Sequence, residues 1–125
     1  MNEEENHKLT TISRDEIIQI ASHFYRLVKQ DDLIGKMYPE DDWDGSEERL
    51  RDFLLFRLIG EQDYLVKRGH PRLRMRHARF FIGKKESDRW MDLMDQAMRD
   101  TGIPETEFIK LHNFFHGVAE FMRNH

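Results

Sequence analysis

Four stretches of the chain repeat their apolar residues every three to four positions, and none alternates at the two-residue period of a half-buried strand. Such a chain can bury its apolar stripes only by packing helix on helix. In the first stretch Ile17, Ala21, Phe24, Tyr25 and Val28 share one face, while Arg14, Gln19, Arg26 and Lys29 fall elsewhere. Ser13 followed by Glu16 matches a capping box, and Ile12 is placed to staple against Ile17, so a helix start here rests on two separate devices. Asp31, Asp32 and Gly35 weaken its continuation, and Tyr38 must be extended because Pro39 follows, which predicts a corner. Leu50, Phe53, Leu54 and Leu58 predict a second helix from about Ser46 to Ile59, with Asp44 and Glu47 as its capping pair. A third runs from about Ser87 to Asp100 on Trp90, Leu93, Met94, Ala97 and Met98, and stops at Thr101, Gly102 and Pro104. The last, about Glu105 to Arg123, turns Phe108, Leu111, Phe115, Val118 and Met122 inward.

Between the second and third helices, from Gly60 to Gly83, the period disappears into a segment punctuated by Gly69 and Pro71 and loaded with Arg. An irregular stretch this long in a chain of 125 residues points to function. The length fits one domain, taken as residues 12–125, preceded by a polar extension over 1–11 that is expected to fray. With no cysteine, disulfides, thiolate metal sites and cysteine nucleophiles are all excluded, so any metal must be held by His or carboxylate. A formal net charge of -4 argues against general binding to nucleic acid or an anionic membrane. No apolar run approaches bilayer length, and the opening MNEEENHKLT is acidic where a signal peptide is basic and then apolar, so a cytoplasmic location is expected.

His77 stands in Arg74-Met75-Arg76-His77-Ala78-Arg79-Phe80-Phe81. A loop histidine is more often solvated than a ligand, but neighbouring cations keep it neutral, which is the state an iron ligand requires. Tyr25, Tyr38 and Trp90 each join an apolar body to one donor. They are either core aromatics whose tips reach a polar partner, or three donors converging where a partly negative ligand sits. Trp90 can only donate, whereas one tyrosine can spend its proton on the other, so the indole has the stronger claim to a ligand. His112 and His116 have the i, i+4 spacing of a zinc pair but lack the glutamate of the metalloprotease motif, which favours a solvated helix face. Arg68, Arg72, Arg74, Arg76 and Arg79 form the one basic cluster, suited to cofactor carboxylates or, on a haem-free helical domain, to a polyanion.

The runs Tyr38-Pro39-Glu40-Asp41-Asp42, Gly45-Ser46-Glu47-Glu48-Arg49-Leu50-Arg51-Asp52-Phe53-Leu54 and Arg68-Gly69-His70-Pro71-Arg72-Leu73-Arg74-Met75-Arg76-His77-Ala78, with His23-Phe24-Tyr25 before them and Trp90 after, resemble the group II (O-type) truncated haemoglobins. The likeness covers roughly residues 12–100. It implies an all-α fold, a two-over-two helical sandwich enclosing haem b (iron protoporphyrin IX). By this resemblance His77 matches the proximal iron ligand, and Tyr25, Tyr38 and Trp90 the distal residues. Ser46 falls where other globins carry a distal histidine, with Leu50 one turn on. Arg49 and Arg76 match positions facing the haem propionates, and Phe24, Phe53, Leu54, Tyr64, Met75, Phe80 and Ile82 line the ring. The chain departs from the family at Ile12-Ser13, where a Gly-Gly hinge is common, and at Ile59-Gly60-Glu61, where Gly-Gly-Pro is common.

The activity so implied is binding of dioxygen, nitric oxide or carbon monoxide. Several distal donors, each worth roughly 1.5 to 3 kcal/mol to a charged acceptor, would slow ligand release. That favours nitric-oxide dioxygenase or peroxidase-like chemistry, or gas sensing read by a partner, over simple oxygen delivery. Turnover would need an outside reductase or electron donor, since the chain carries no flavin or nicotinamide motif.

Overall fold

The computed structural model describes residues 9–61 and 80–125. Within them lie four α-helices, α1 (Arg14–Lys29), α2 (Trp43–Ile59), α3 (Lys84–Thr101) and α4 (Glu105–Met122), with a short 3-10 turn at Gly35–Met37 and no strand. The all-helical reading is therefore correct. α1 packs on both α2 and α3, and α3 packs on α4, which gives two pairs of helices laid across one another.

The start of α1 is the one its sequence specifies. Glu16 N–H donates to Ser13 Oγ at 3.1 Å and Ser13 N–H donates to Glu16 Oε1 at 2.9 Å, closing both halves of the capping box. α2 begins three residues earlier than expected. Asp42 takes the cap position and its carbonyl accepts from Ser46 N–H at 3.0 Å, so Asp44 lies inside the first turn and makes no cap with Glu47. At its other end Gly60 sits at φ 80°, the left-handed conformation that a glycine adopts without strain, so one glycine of the family's hinge is retained where the geometry demands it. α3 likewise starts before Ser87. Gly83 caps it, its N–H donating to Glu86 Oε1 at 2.9 Å, and Gly102 ends it at φ 78°.

Order also begins earlier than the sequence suggests. Leu9 N–H donates to Leu58 O at 2.8 Å, and Thr10 is buried with its hydroxyl donating to Glu107 Oε1 at 2.8 Å. Residues 9–11 therefore belong to the body of the domain, in non-helical form; residues 1–8 lie outside the described residues. The acceptor that holds this segment is Glu107, in the first turn of α4, which also receives Thr11 N–H at 2.8 Å and Lys110 Nζ at 3.1 Å. The Thr11 amide and the Thr10 hydroxyl hold its carboxyl down from the ordinary 4.5 to about 2. Because the folded value lies below the unfolded one, this stabilisation is complete above pH 4.5 and is lost as pH falls toward 2. Glu107→Ala is expected to lower stability by about 2 kcal/mol at pH 7, the worth of charge-assisted hydrogen bonds. In urea titrations the gap to wild type should narrow as the pH drops through that window; a gap unchanged at pH 3 would contradict the assignment.

Candidate functional site

One cavity of about 370 Å³ is enclosed by all four helices, a size within the range of small-molecule and cofactor sites. One end is aromatic and polar. Neighbouring positions on a helix point about 100° apart, so Phe24 reaches Trp90, with ring centroids 5.4 Å apart, while Tyr25 reaches Tyr38, also at 5.4 Å and edge to face. Tyr38 gets its direction from the corner. Asp31 Oδ2 accepts the N–H groups of Leu33 at 3.2 Å and Ile34 at 2.9 Å, and Asp31 Oδ1 pairs with Arg89 of α3. Burial pushes the Asp31 carboxyl up, but the Ile34 amide and Arg89 outweigh it and hold it ionised below its ordinary range. The turn then folds so tightly onto α1 that a Cβ on Gly35 would lie 2.6 Å from Val28 O. Gly35 thus permits a close approach rather than merely weakening a helix. Tyr38 leaves the turn extended, at φ -107° and ψ 146°, as the residue before Pro39 must.

At the Tyr38 oxygen the three donors meet. Burial raises the Tyr38 hydroxyl to about 12, against the opposing pull of hydrogen bonds from Trp90 and from Tyr25. Burial and the neighbouring Tyr38 push Tyr25 well above the ordinary value as well. Both phenols therefore stay protonated across the physiological range. Trp90 and Tyr25 both act on the Tyr38 hydroxyl, so the three polar aromatics gather at one end of the cavity.

Of the site residues named from sequence, Phe24, Tyr25, Tyr38, Ser46, Arg49, Leu50, Phe53, Leu54, Phe80, Ile82 and Trp90 all line this one cavity. Ser46 is buried and accepts from Arg49 Nη2 at 3.1 Å; the same nitrogen reaches Asp42 Oδ2 at 3.2 Å, and the Arg49 side chain is 45% exposed at the mouth. His77, Tyr64, Met75, Arg76 and the rest of the arginine cluster, like His70, fall outside the described residues. Sequence reasoning missed Ile34, Met37 and Pro39 from the corner and Glu86 and Ser87 from the start of α3. It read Phe115, Val118 and Met122 of α4 as an inward stripe, and Phe115 is indeed in the core, but it did not show that these three and Ala119 also line the cavity. Trp43 was also overlooked. Its ring lies 5.8 Å from Tyr38 and 6.3 Å from Tyr25, backing both, and only its place at the first turn of α2 could have hinted at this.

The zinc-like pair gains no support. His112 Nδ1 lies 2.8 Å from Asp95 Oδ1 and its ring stacks on Phe108, His116 is exposed, and among the described residues no group of three or more potential ligands gathers. Among the described residues no helix is long and apolar enough to cross a membrane.

The family model for bacterial-like globins matches residues 12–124. The chain is similar to a group 2 truncated haemoglobin of Lotus japonicus, 31% identical over 84% of this chain and 64% of that longer protein. It is 27% identical over its whole length to the group 2 truncated haemoglobin YjbI of Bacillus subtilis, covering 91% of it. In three dimensions it is similar to the thermostable haemoglobin of Thermobifida fusca, with a TM-score of 0.85, 38% identity, and 90% of this chain and 91% of that one covered. A cavity walled by four crossed helices, with paired tyrosines and a tryptophan at one end, on a chain with these relatives, makes this protein a member of the bacterial-like globin family and, within it, a group II truncated haemoglobin.

Proposed function

We propose that this protein binds one haem b in the cavity, with His77 as the proximal ligand, and that Tyr25, Tyr38 and Trp90 govern a diatomic ligand on the opposite face. The observation that carries this reading is the division of the cavity: apolar walls from Phe24, Phe53, Leu54, Ile82 and Val118, three converging donors at one end, and a half-exposed Arg49 at the mouth. That is the pattern a flat apolar ring with two carboxylates calls for. When bound, the haem supplies an iron whose open position takes dioxygen, nitric oxide or carbon monoxide. Arg49 would exchange its ties to Asp42 and Ser46 for a propionate, and by the resemblance Arg76, Tyr64 and Met75 would contact the ring as well.

The residues of the chain do the selecting. In this reading Tyr38 offers its proton to the ligand, with Tyr25 and Trp90 beside its hydroxyl. Phe24 packs on Tyr25, and Trp43 backs both tyrosine rings. Neither phenol titrates below pH 10, so ligand affinity should not vary with pH through these groups between 6 and 9. Such a cluster slows ligand release, which favours redox turnover with an external electron donor over delivery. Titration of the purified protein with hemin tests the reading: a Soret band saturating at one haem per chain, with a rise in melting temperature because only the folded state binds. No such band would leave the haem-free polyanion reading in its place.

A further inference from the structure

Beyond α4 the chain turns back along the residues that lead into α3. Asn124 N–H donates to Ile82 O at 2.9 Å, and Ile82 N–H donates to Asn124 Oδ1 at 2.9 Å. The same side chain turns its Nδ2 to Phe80 O at 2.7 Å. His125 adds an N–H to Ile82 O at 3.3 Å and stacks its ring on Phe81, with centroids 4.0 Å apart and planes 13° from parallel. The side chains at 80–82 alternate. Phe80 and Ile82 line the cavity and Phe81, between them, is 63% exposed.

Residues 80–82 belong to no helix, so their backbone polar groups need partners from elsewhere in the chain. An amide side chain offers an acceptor and a donor on separate atoms, as a peptide unit does, and so can stand in for one. Asn124 uses both, on two residues whose side chains face the cavity, and Met122, two positions earlier, lines that cavity as well. The end of α4 and the approach to α3 are thereby joined into one wall.

We infer that Asn124 is a positioning residue for the haem cavity, holding Phe80 and Ile82 against the ring and so slowing the escape of bound haem. This rests on the haem reading above. Asn124→Ala removes the side-chain partner of Phe80 O and Ile82 N–H, while Asn124→Asp keeps an acceptor for Ile82 but sets a carboxylate oxygen against Phe80 O. Neither changes a side chain that lines the cavity.

The test is the rate at which hemin passes from each loaded protein to excess apomyoglobin, with Glu107→Ala as a control because its tie lies at the other end of α4. Hydrogen exchange at the Ile82 amide in the hemin-free proteins supplies a second readout. The expected result is hemin loss at least about tenfold faster for Asn124→Ala, roughly 1.4 kcal/mol, faster loss for Asn124→Asp as well, and faster exchange at Ile82 in Asn124→Ala. Glu107→Ala should change hemin loss much less despite its own loss of stability. Should Asn124→Ala fail to fold, Asn124→Asp against Glu107→Ala decides the question. Loss within twofold of wild type, or no faster than in Glu107→Ala, overturns the inference alone. Wild-type protein that takes up no hemin overturns the functional reading and this inference with it.

Discussion

His77→Ala is expected to purify without haem and to bind added hemin at least about a hundredfold more weakly than wild type, each tenfold being about 1.4 kcal/mol. The described walls of the cavity contain two tyrosines, a tryptophan, two serines, an arginine and a glutamate, but no histidine. His23 lies on α1 outside the lining, His112 is engaged with Asp95, His116 is exposed, and His125 stacks on Phe81. No described histidine lines the cavity, which leaves His7, His70 and His77, all outside the described residues, as sources of an imidazole for iron. The resemblance selects His77, so His70→Ala should keep haem uptake and the ferrous spectrum of wild type. The assignment falls if His77→Ala retains full haem content with an unchanged ferrous spectrum.

Tyr38→Phe should have the second largest effect, speeding oxygen release from the ferrous protein by about tenfold or more. A hydrogen bond to a partly charged acceptor is worth roughly 1.5 to 3 kcal/mol, or about 10- to 150-fold in rate. Tyr38 is the residue to remove because Trp90 and Tyr25 both approach its hydroxyl, so that its proton is the one expected to reach a ligand in the cavity. The phenylalanine keeps the ring against Tyr25 and Trp43, so packing is conserved. Its loss also frees the indole and the Tyr25 hydroxyl, and either can then turn toward the ligand and recover part of the effect. The double variant Tyr38→Phe, Trp90→Phe should for that reason release oxygen faster than either single one, with effects that do not add, as for residues sharing a partner. Stopped-flow measurement of the three proteins decides the matter: Tyr38→Phe within twofold of wild type would mean that the phenol does not hold the ligand.

Much of this molecule was legible before folding. Both halves of the Ser13 and Glu16 cap, the stop at Gly102 and the corner before Pro39 are short-range events, set by hydrogen bonds and dihedral limits within a few residues. The inward stripes follow from the helical period in the same way. The start of α2 was misread because Asp42 and Asp44 both suit a cap, and the choice between them rests on how Trp43 packs behind the tyrosines. For Thr10, a polar residue in a polar stretch, nothing local reveals that Glu107, 97 residues away, completes its burial.

The site divides along the same line. From the sequence alone came its residue types, its position between crossed helices and the resemblance that names its ligand, because these depend on motif and period. Only the tertiary structure decided which wall each residue forms. Phe115, Val118 and Met122 look identical to core in sequence, since a stripe at helical spacing says that a face is buried but not whether protein or a cavity lies against it. The same holds for the donors: that Trp90 and Tyr25 both come up to Tyr38 depends on how α1, the corner and α3 meet, which no spacing along the chain encodes.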